Sequence, residues 1–306
     1  MITLLDGGMG TEIRRRGCNV PSHLNSIWSA QALMDNPEVV RQIHTDYINA
    51  GADIIITNNY AVTHNLLKRK NIEKKLNELT LISINLANEA RNLTGKKIKI
   101  AASLPPLDTS YRSDLVEDFK SIVKKYTEIV DLVKDQVDLI IIETMSSIAE
   151  AKGALEACKN IDIPTWLGFT LHGNRLNTLP SGENIKDAIK FAEKYDPDAY
   201  LINCCAANIV TEALKVIPQV TNKPYGGYAN AEVVINFSDK QGEIVNAEVK
   251  QENNGKIINA DHYAQIANQW INYGATIIGG CCHTSPEHIQ KLYRLINEGV
   301  ARSHRQ

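Results

Sequence analysis

Residues 138–143 read DLIIIE, a short run of β-branched and apolar residues that ends on a carboxylate. Similar runs recur along the 306 residues of the chain, and longer amphipathic stretches separate them. Continuous apolar runs of this length are typical of strands that are buried on both faces of a parallel sheet. The predicted strands are ITLLD at 2–6, DIIITN at 53–58, KIKIAAS at 97–103, DLIIIE at 138–143, TWLGFT at 165–170, AYLINC at 199–204, KPYGGY at 223–228 and TIIGGC at 276–281. Eight strand–helix units in succession predict an α/β protein with a single (β/α)8 TIM barrel, although an open doubly wound sheet stays possible.

Proline and glycine mark several of the predicted helix ends. Pro37 and Pro286 each follow a polar capping residue, which is typical of the first helical position. Gly51 and Gly274 are predicted to end the helices that precede the second and the eighth strand. These boundaries agree with an alternation of strands and helices along the whole chain.

The sequence gives no sign of a second domain. No Pro-, Gly- or Ser-rich linker and no low-complexity tract interrupts it, so we predict one domain over residues 1–306. Residues 230–259 form a long polar insertion after the seventh predicted strand. Loops of this length in a compact domain are usually functional or mobile, and a lid is one interpretation of this insertion.

Composition and charge restrict the possible partners of the chain. A formal net charge of -2 favours neither nucleic acid nor an anionic membrane as a partner. The N-terminal residues MITLLDGGMGTE contain no basic region and no cleavage site, and no segment approaches the run of about 18 apolar residues that spans a bilayer. We therefore expect a cytoplasmic protein that acts on small molecules, and the sequence gives no indication of its oligomeric state.

Polar residues collect at the ends of the predicted strands, where the active-site groups of a barrel are found. These residues are Asp6, Asn58, Tyr60, Glu143, Cys204 and the pair Cys281-Cys282. A buried carboxylate such as Asp6 or Glu143 is costly unless it is paired or binds a ligand, so a salt bridge or a helix cap competes with a substrate contact at each. Tyr60 and Trp28 belong to residue types that pack more often than they bind ligands.

The six cysteines include two adjacent pairs, Cys204-Cys205 and Cys281-Cys282. In a reducing compartment, clustered cysteines favour a metal site or catalysis over disulfides. Three thiolates are strong ligands of Zn²⁺ and leave a fourth tetrahedral position open for a substrate. Cys18 and Cys158 stand alone, and core packing is the better interpretation of both.

The adjacent pair Cys281-Cys282 requires a break in the strand. Neighbouring residues of a strand point to opposite faces, so both sulfurs reach one ion only if the chain leaves the strand there. We expect Gly279-Gly280 to supply the backbone freedom for this turn. The third ligand is expected from the Cys204-Cys205 pair, and spacing alone does not choose between its two members.

Five motifs together resemble the zinc-dependent homocysteine S-methyltransferases. These motifs are DGGMGTE at 6–12, TNNY at 57–60, IIETM at 141–145, INCC at 202–205 and GGCC at 279–282. The family includes enzymes that use S-methylmethionine or betaine and the homocysteine module of cobalamin-dependent methionine synthase. The resemblance extends from residue 4 to about residue 290 and implies transfer of a methyl group to the thiol of homocysteine, giving methionine.

The resemblance also implies roles for individual residues. Cys204, Cys281 and Cys282 match the family's zinc ligands, and Cys205 is then left to pack beneath the site. The substrate contacts that it implies are Asp6 and Glu143 at the ammonium group of homocysteine, the backbone of Gly7 and Gly8 beside the substrate, Tyr60 near the zinc and the methyl donor, and Trp28 in the donor pocket.

The length of the chain bears on the methyl donor. A chain of this length is not expected to carry the folate and cobalamin modules of methionine synthase, so S-methylmethionine or S-adenosylmethionine is expected as an onium donor. The segment SLPPLDTSYR at 103–112 departs from the pattern of the S-methylmethionine enzymes. Two other functions stay open: a zinc-dependent hydrolase on the same barrel, which would activate water in the open position, and a non-catalytic family member that binds zinc and thiols.

Overall fold

The parallel strands of the computed structural model, which describes residues 1–22, 26–236 and 255–303, curl into one closed sheet. The strands of this sheet are β1 (Thr3–Leu4), β2 (Ile54–Ile56), β3 (Lys99–Leu104), β4 (Leu139–Met145), β5 (Thr165–Phe169), β6 (Ala199–Ala206), β7 (Tyr225–Asn230) and β10 (Ile277–Gly280). Their order is β1-β10-β7-β6-β5-β4-β3-β2. A parallel bridge from Leu5 to Ile54 joins the two ends of this order, and the Asp6 amide donates to the Ile54 carbonyl at 3.0 Å. The predicted TIM barrel is therefore confirmed.

Helices cover the outside of the barrel and alternate with its strands. They are α1 (Met9–Arg15), α2 (Gln31–Asp35), α3 (Pro37–Ala50), α4 (His64–Lys68), α5 (Leu76–Thr94), α6 (Phe119–Val133), α7 (Ile148–Ala157), α8 (Ile185–Ala192), α9 (Ala207–Leu214), α10 (Ala260–Asn272) and α11 (Pro286–Ser303). Among the described residues, no helix combines the length and the apolarity that crossing a membrane requires.

The predicted helix ends agree with the structure. Helix α3 begins at Pro37 and α11 begins at Pro286. Gly51 follows α3 with a φ of 111°, and Gly274 follows α10 with a φ of 91°. Both are left-handed conformations that favour glycine. Asn36 precedes Pro37 without a side-chain capping hydrogen bond.

The position of strand β4 in the barrel explains why the sequence DLIIIE at 138–143 is apolar at successive positions. Leu139 and Ile141 belong to the small apolar cluster that fills the barrel interior. Ile140 and Ile142 belong to the larger core between the strands and the helices. Because side chains alternate along a strand, Glu143 follows Leu139 and Ile141 on the inner face, at the carboxyl end of the barrel.

The insertion predicted at 230–259 begins and ends as a small antiparallel hairpin. Its strands are β8 (Glu232–Val234) and β9 (Gly255–Ile257). Asn208 of α9 fastens the hairpin, since its side-chain amide donates to the Val234 carbonyl at 2.8 Å and accepts from the Val234 amide at 3.0 Å. Residues 237–254 of the insertion lie outside the described residues. The interpretation of the insertion as a lid concerns these residues and therefore stays a prediction. One domain over residues 1–306 stays a prediction.

Candidate metal and substrate site

Three cysteine sulfurs converge at the carboxyl end of the barrel. The Sγ atoms of Cys204, Cys281 and Cys282 all lie within 4.8 Å of one another. Bonds of about 2.3 Å in a tetrahedral zinc site separate the sulfurs by about 3.8 Å, so small shifts bring all three onto one ion. Cys205 instead packs in the apolar core outside the barrel. The geometry therefore selects Cys204 from the pair that the sequence left unresolved.

The backbone turns at Cys204, which explains how one member of the pair reaches the site. Cys204 has a φ of 54°, and the register between β6 and β7 shifts between Asn203 and Ala206. This irregularity ends the regular alternation of side chains and aims Cys204 toward the other two sulfurs. A left-handed conformation is uncommon outside glycine and is a typical feature of functional sites.

The turn at the second pair lies later in the chain than expected. The Cys281 amide still donates to the Ala229 carbonyl of the neighbouring strand at 2.8 Å, and the left-handed residue is His283, with a φ of 64°. Gly279 and Gly280 do not have a positive φ. A Cβ on Gly280 would lie 2.4 Å from Thr284 Oγ1. The expected role of the two glycines in backbone freedom was wrong at this point, because they provide room for close packing.

Tyr111 contacts the cluster and was missed by the sequence reasoning. Its hydroxyl lies 3.1 Å from the Cys204 sulfur and 3.0 Å from the Cys204 carbonyl oxygen. Burial raises the pKa of Tyr111 well above its usual value. The phenol therefore stays protonated and acts as a hydrogen-bond donor. The only signal in the sequence was the unusual segment at 103–112, which contains this residue.

The pKa values of the clustered cysteines are shifted in opposite directions. Hydrogen bonds from the thiols of Cys204 and Cys281 hold the pKa of Cys282 well below its usual value, although burial opposes this effect. Hydrogen bonds to Cys204 and Cys282, together with burial, raise the pKa of Cys281 well above its usual value. Binding of a metal cation would release the remaining thiol protons, because cysteine coordinates a metal as the thiolate.

Asp6 and Glu143 are buried carboxyls at the same end of the barrel, 3% and 5% exposed. Glu143 accepts hydrogen bonds from Ser103 Oγ at 2.5 Å and from the Tyr228 hydroxyl at 3.0 Å, and Asp6 Oδ2 accepts from the Ile56 amide at 2.9 Å. Burial raises the pKa of Glu143 to about 7. Burial also raises the pKa of Asp6, and the charge of Glu143 adds to that effect.

Neither carboxyl forms an ion pair within the described ranges, so the salt-bridge alternative is not observed there. Both carboxyls are hydrogen-bonded but lack a cation, and a bound ammonium group would offset their desolvation.

Gly7 and Gly8 pack directly against the loop of the second cysteine pair. A Cβ on Gly8 would lie 2.3 Å from the Cys281 carbonyl oxygen, and one on Gly7 would lie 2.8 Å from Thr284 Oγ1. The Gly8 amide donates to Thr284 Oγ1 at 2.9 Å, and Thr284 Oγ1 donates to the Cys281 carbonyl at 2.6 Å. The DGG motif thus fixes the position of Cys281, and close approach of a substrate to these glycines stays a prediction.

The two aromatic candidates differ in their surroundings. The Tyr60 hydroxyl is hydrogen-bonded to Ser110 Oγ at 2.8 Å. Burial raises the pKa of Tyr60 well above its usual value, so its phenol stays protonated. Trp28 packs against α1, where the Arg14 guanidinium lies 4.8 Å from the centre of its ring.

Asn203 links two strands beneath the site and was not singled out from the sequence. Its side-chain oxygen accepts from the Thr144 amide at 2.9 Å, and its side-chain nitrogen donates to Thr144 Oγ1 at 2.8 Å. Thr144 has a φ of 62°. The link crosses the intervening strand β5, where a Cβ on Gly168 would lie 2.9 Å from the Asn203 side-chain oxygen. Asn203 directly precedes Cys204, and Thr144 directly follows Glu143. The link between them therefore fixes the distance between the two parts of the site.

The fold and the site define a barrel enzyme that can hold a metal ion through three cysteine sulfurs. The chain belongs to the homocysteine S-methyltransferase family, whose sequence model matches residues 3–296. Enzymes of this family transfer a methyl group to a small-molecule acceptor, and the recognition made from the five motifs is confirmed.

Individual relatives match almost the whole chain. The homocysteine S-methyltransferase YbgG of Bacillus subtilis is 30% identical over 315 residues, which cover 95% of this chain and 93% of the relative. A selenocysteine methyltransferase of Astragalus bisulcatus is 28% identical and covers 97% of this chain and 93% of its own length. The metallated form of the homocysteine methyltransferase MmuM from Escherichia coli superposes with a TM-score of 0.78 at 28% identity, covering 96% of each chain.

Proposed function

We propose that the chain transfers a methyl group from an onium donor, S-methylmethionine or S-adenosylmethionine, to the thiol of homocysteine. The product is methionine, which gives the chain a role in methionine biosynthesis. The observation that carries this proposal is the convergence of three cysteine sulfurs at the barrel end that also holds two buried carboxyls without cations.

Cys204, Cys281 and Cys282 are the residues that would hold a zinc ion. When bound, zinc keeps a coordinated substrate thiol deprotonated at neutral pH, where a free thiol with a pKa near 8.5 is mostly protonated. The three cysteines supply negative charge, which keeps the substrate sulfur electron-rich. The Tyr111 hydroxyl donates to the Cys204 carbonyl and lies within hydrogen-bond distance of the Cys204 sulfur, and these contacts hold Cys204 in place.

Asp6 and Glu143 would bind the ammonium group of homocysteine. An ammonium group between two carboxyls supplies the positive charge that both lack, and it favours their ionised forms. The backbone of Gly7 and Gly8 lies beside Cys281 and would border the bound amino acid. Anchoring one end of the substrate leaves its thiol directed at the three cysteines.

The donor is expected to be cationic because its positive charge is lost in the transfer. The carbon–sulfur bond to the methyl group breaks with its electron pair staying on the donor sulfur, and a new bond forms from the homocysteine sulfur to the same carbon. The step therefore needs orientation of the two sulfurs more than it needs a general base. Aromatic faces at Tyr60 and Trp28 suit a cation through its attraction to the ring electrons.

The test is methionine formation from homocysteine with S-methylmethionine or S-adenosylmethionine, using zinc-loaded protein and a chelated control. Product that depends on zinc and on one of the two onium donors is the expected result. Binding of zinc and homocysteine without product from either donor would contradict the proposal and favour a non-catalytic member of the family.

A second acceptor is favoured by one specific observation, the similarity to a selenocysteine methyltransferase. Selenocysteine offers a selenolate that the same three cysteines and the same carboxyls could accommodate. Competition between homocysteine and selenocysteine for one limiting donor ranks the two acceptors. We expect homocysteine to be preferred, and a preference for selenocysteine would replace it as the acceptor.

A further inference from the structure

We propose that Glu232 binds the positive charge of the methyl donor. This inference rests on the proposed function, since it assigns a recognition residue for the donor of that reaction. It concerns the hairpin that follows β7, a part of the chain to which the motifs of the sequence assigned no role.

Glu232 is connected to the second cysteine pair through one side-chain amide. The Asn230 side-chain oxygen accepts from the Cys282 amide at 3.2 Å, and its nitrogen donates to Glu232 Oε1 at 3.0 Å. The intervening residue adds a backbone link, because the Ala231 amide donates to the Cys282 carbonyl at 2.9 Å. One side-chain amide thus joins the Glu232 carboxylate to the backbone of Cys282, one of the three clustered cysteines.

Contacts within the hairpin fix the position of this carboxylate. Glu232 is the first residue of β8, and its Oε2 atom packs over Gly255 of β9, where a Cβ would lie only 2.5 Å away. Asn208 fastens the end of β8 to α9 through two hydrogen bonds. A charged side chain that is fixed on regular structure can orient a ligand more accurately than one on a mobile loop.

The charges around Glu232 explain why a cation should bind there. Within the described part of the chain, Glu232 forms no ion pair with Lys, Arg or His. Burial raises its pKa, whereas the hydrogen bond from Asn230 and the charge of His283 lower it.

Substrate binding would increase the negative charge near Glu232. Three cysteine thiolates and a substrate thiolate around a divalent ion carry a net charge of 2−, and Glu232 adds to it. Like charges gathered in a partly desolvated site are unfavourable unless a cation is near. The sulfonium of the donor supplies that cation at the stage when the site is most negative.

The experiment compares Glu232→Gln with the wild-type protein. Glutamine has the same shape and keeps an oxygen that accepts the hydrogen bond from Asn230, so the variant removes the charge alone. The ligands are two non-reactive amino acids of equal shape, one ending in a trimethylammonium group and the other in a tert-butyl group. Their affinities are measured by calorimetry on zinc-loaded protein, together with the zinc content and the kcat and KM for S-methylmethionine.

The wild-type protein is expected to prefer the trimethylammonium ligand. Charge-assisted contacts contribute about 1.5–3 kcal/mol, so Glu232→Gln should reduce this preference by about 10- to 150-fold. The KM for the cationic donor should rise, whereas zinc content and homocysteine affinity should not change. Glu232→Asp keeps the charge and is expected to keep most of the preference. Glu212→Gln, at a half-buried glutamate paired with Lys215, is the matched control and should behave as the wild type.

A preference for the cation that survives in Glu232→Gln would overturn the inference. So would an equal loss of affinity for the cationic and the neutral ligand, which would indicate a purely structural role. Failure of the wild-type protein to form methionine from any onium donor contradicts the proposed function instead. The two failures can be distinguished because the binding preference is measured with non-reactive ligands and does not depend on turnover.

Discussion

Replacing Glu143 with Gln is expected to weaken homocysteine binding while stabilising the protein without substrate. Burial raises the pKa of Glu143 from 4.5 to about 7. A carboxyl whose pKa rises on folding contributes stability below its unfolded pKa, and this contribution is lost as the pH rises through the folded pKa. A difference of about 2.5 pKa units corresponds to about 3 kcal/mol lost between pH 4.5 and pH 7.

The variant should recover most of this free energy at high pH. Gln offers one acceptor to the hydroxyls of Ser103 and Tyr228, where the carboxylate offers two, and this difference costs about 1 kcal/mol. The expected net gain in the free energy of unfolding is about 2 kcal/mol at pH 8 and absent at pH 4. Removing the contact to the substrate ammonium should weaken homocysteine binding by about 10- to 150-fold.

The assay is urea unfolding of the metal-free protein at both pH values, with homocysteine affinity measured by calorimetry on the zinc-loaded protein. Glu150→Gln is the matched control, because Glu150 has the same 5% exposure and burial also raises its pKa to about 7, while its side chain bonds to Ser146. The control should gain stability at pH 8 but bind homocysteine normally. Equal homocysteine affinity in Glu143→Gln and the wild type would refute the reasoning.

The other expected outcomes concern the metal, the hydrogen bond to Cys204 and stability in acid. Cys281→Ser should abolish tight zinc binding, measured by competition with a chelator, whereas Cys205→Ser should keep it; full zinc retention in Cys281→Ser would remove that residue from the site. Tyr111→Phe should keep zinc but shift the sulfur-to-metal charge-transfer band of the cobalt-substituted protein, and an unchanged spectrum would contradict the hydrogen bond. Burial lowers the pKa of His44 from 6.5 to about 3, so protonation favours the unfolded chain below pH 6.5 and removes about 2 kcal/mol of stability by pH 5. His44→Leu should not show this loss of stability in acid, measured by unfolding curves at several pH values. The same pH dependence in the variant and the wild type would contradict the lowered pKa of His44.

The barrel and its strand-end residues were predictable because they follow from short-range rules. A run such as DLIIIE alternates between the two cores of the barrel, so its terminal Glu143 is placed once the strand is recognised. The ends of parallel strands meet at one rim, which is why Cys281 and Cys282 were expected there.

The remaining parts of the site depend on conformations that a residue's identity does not specify. Cys204 rather than Cys205 reaches the cluster because of one left-handed residue and one register shift. Tyr111 reaches Cys204 from a loop after β3, across 93 positions of sequence. Glu232 is brought beside Cys282 by a hairpin inside the insertion, which the sequence pattern described only as polar.

Strand β5 donates no side chain to the site, yet it sets the spacing of the elements that do. The link from Asn203 to Thr144 passes over this strand, and only the missing side chain of Gly168 leaves room for it. A methyl group added there would act as a wedge between the elements that carry Cys204 and Glu143, and would disturb metal and amino acid binding together. In a survey of inactive variants, such a position would be counted among the active-site residues although it touches neither ligand. The geometry of the site therefore depends in part on the absence of a side chain at Gly168.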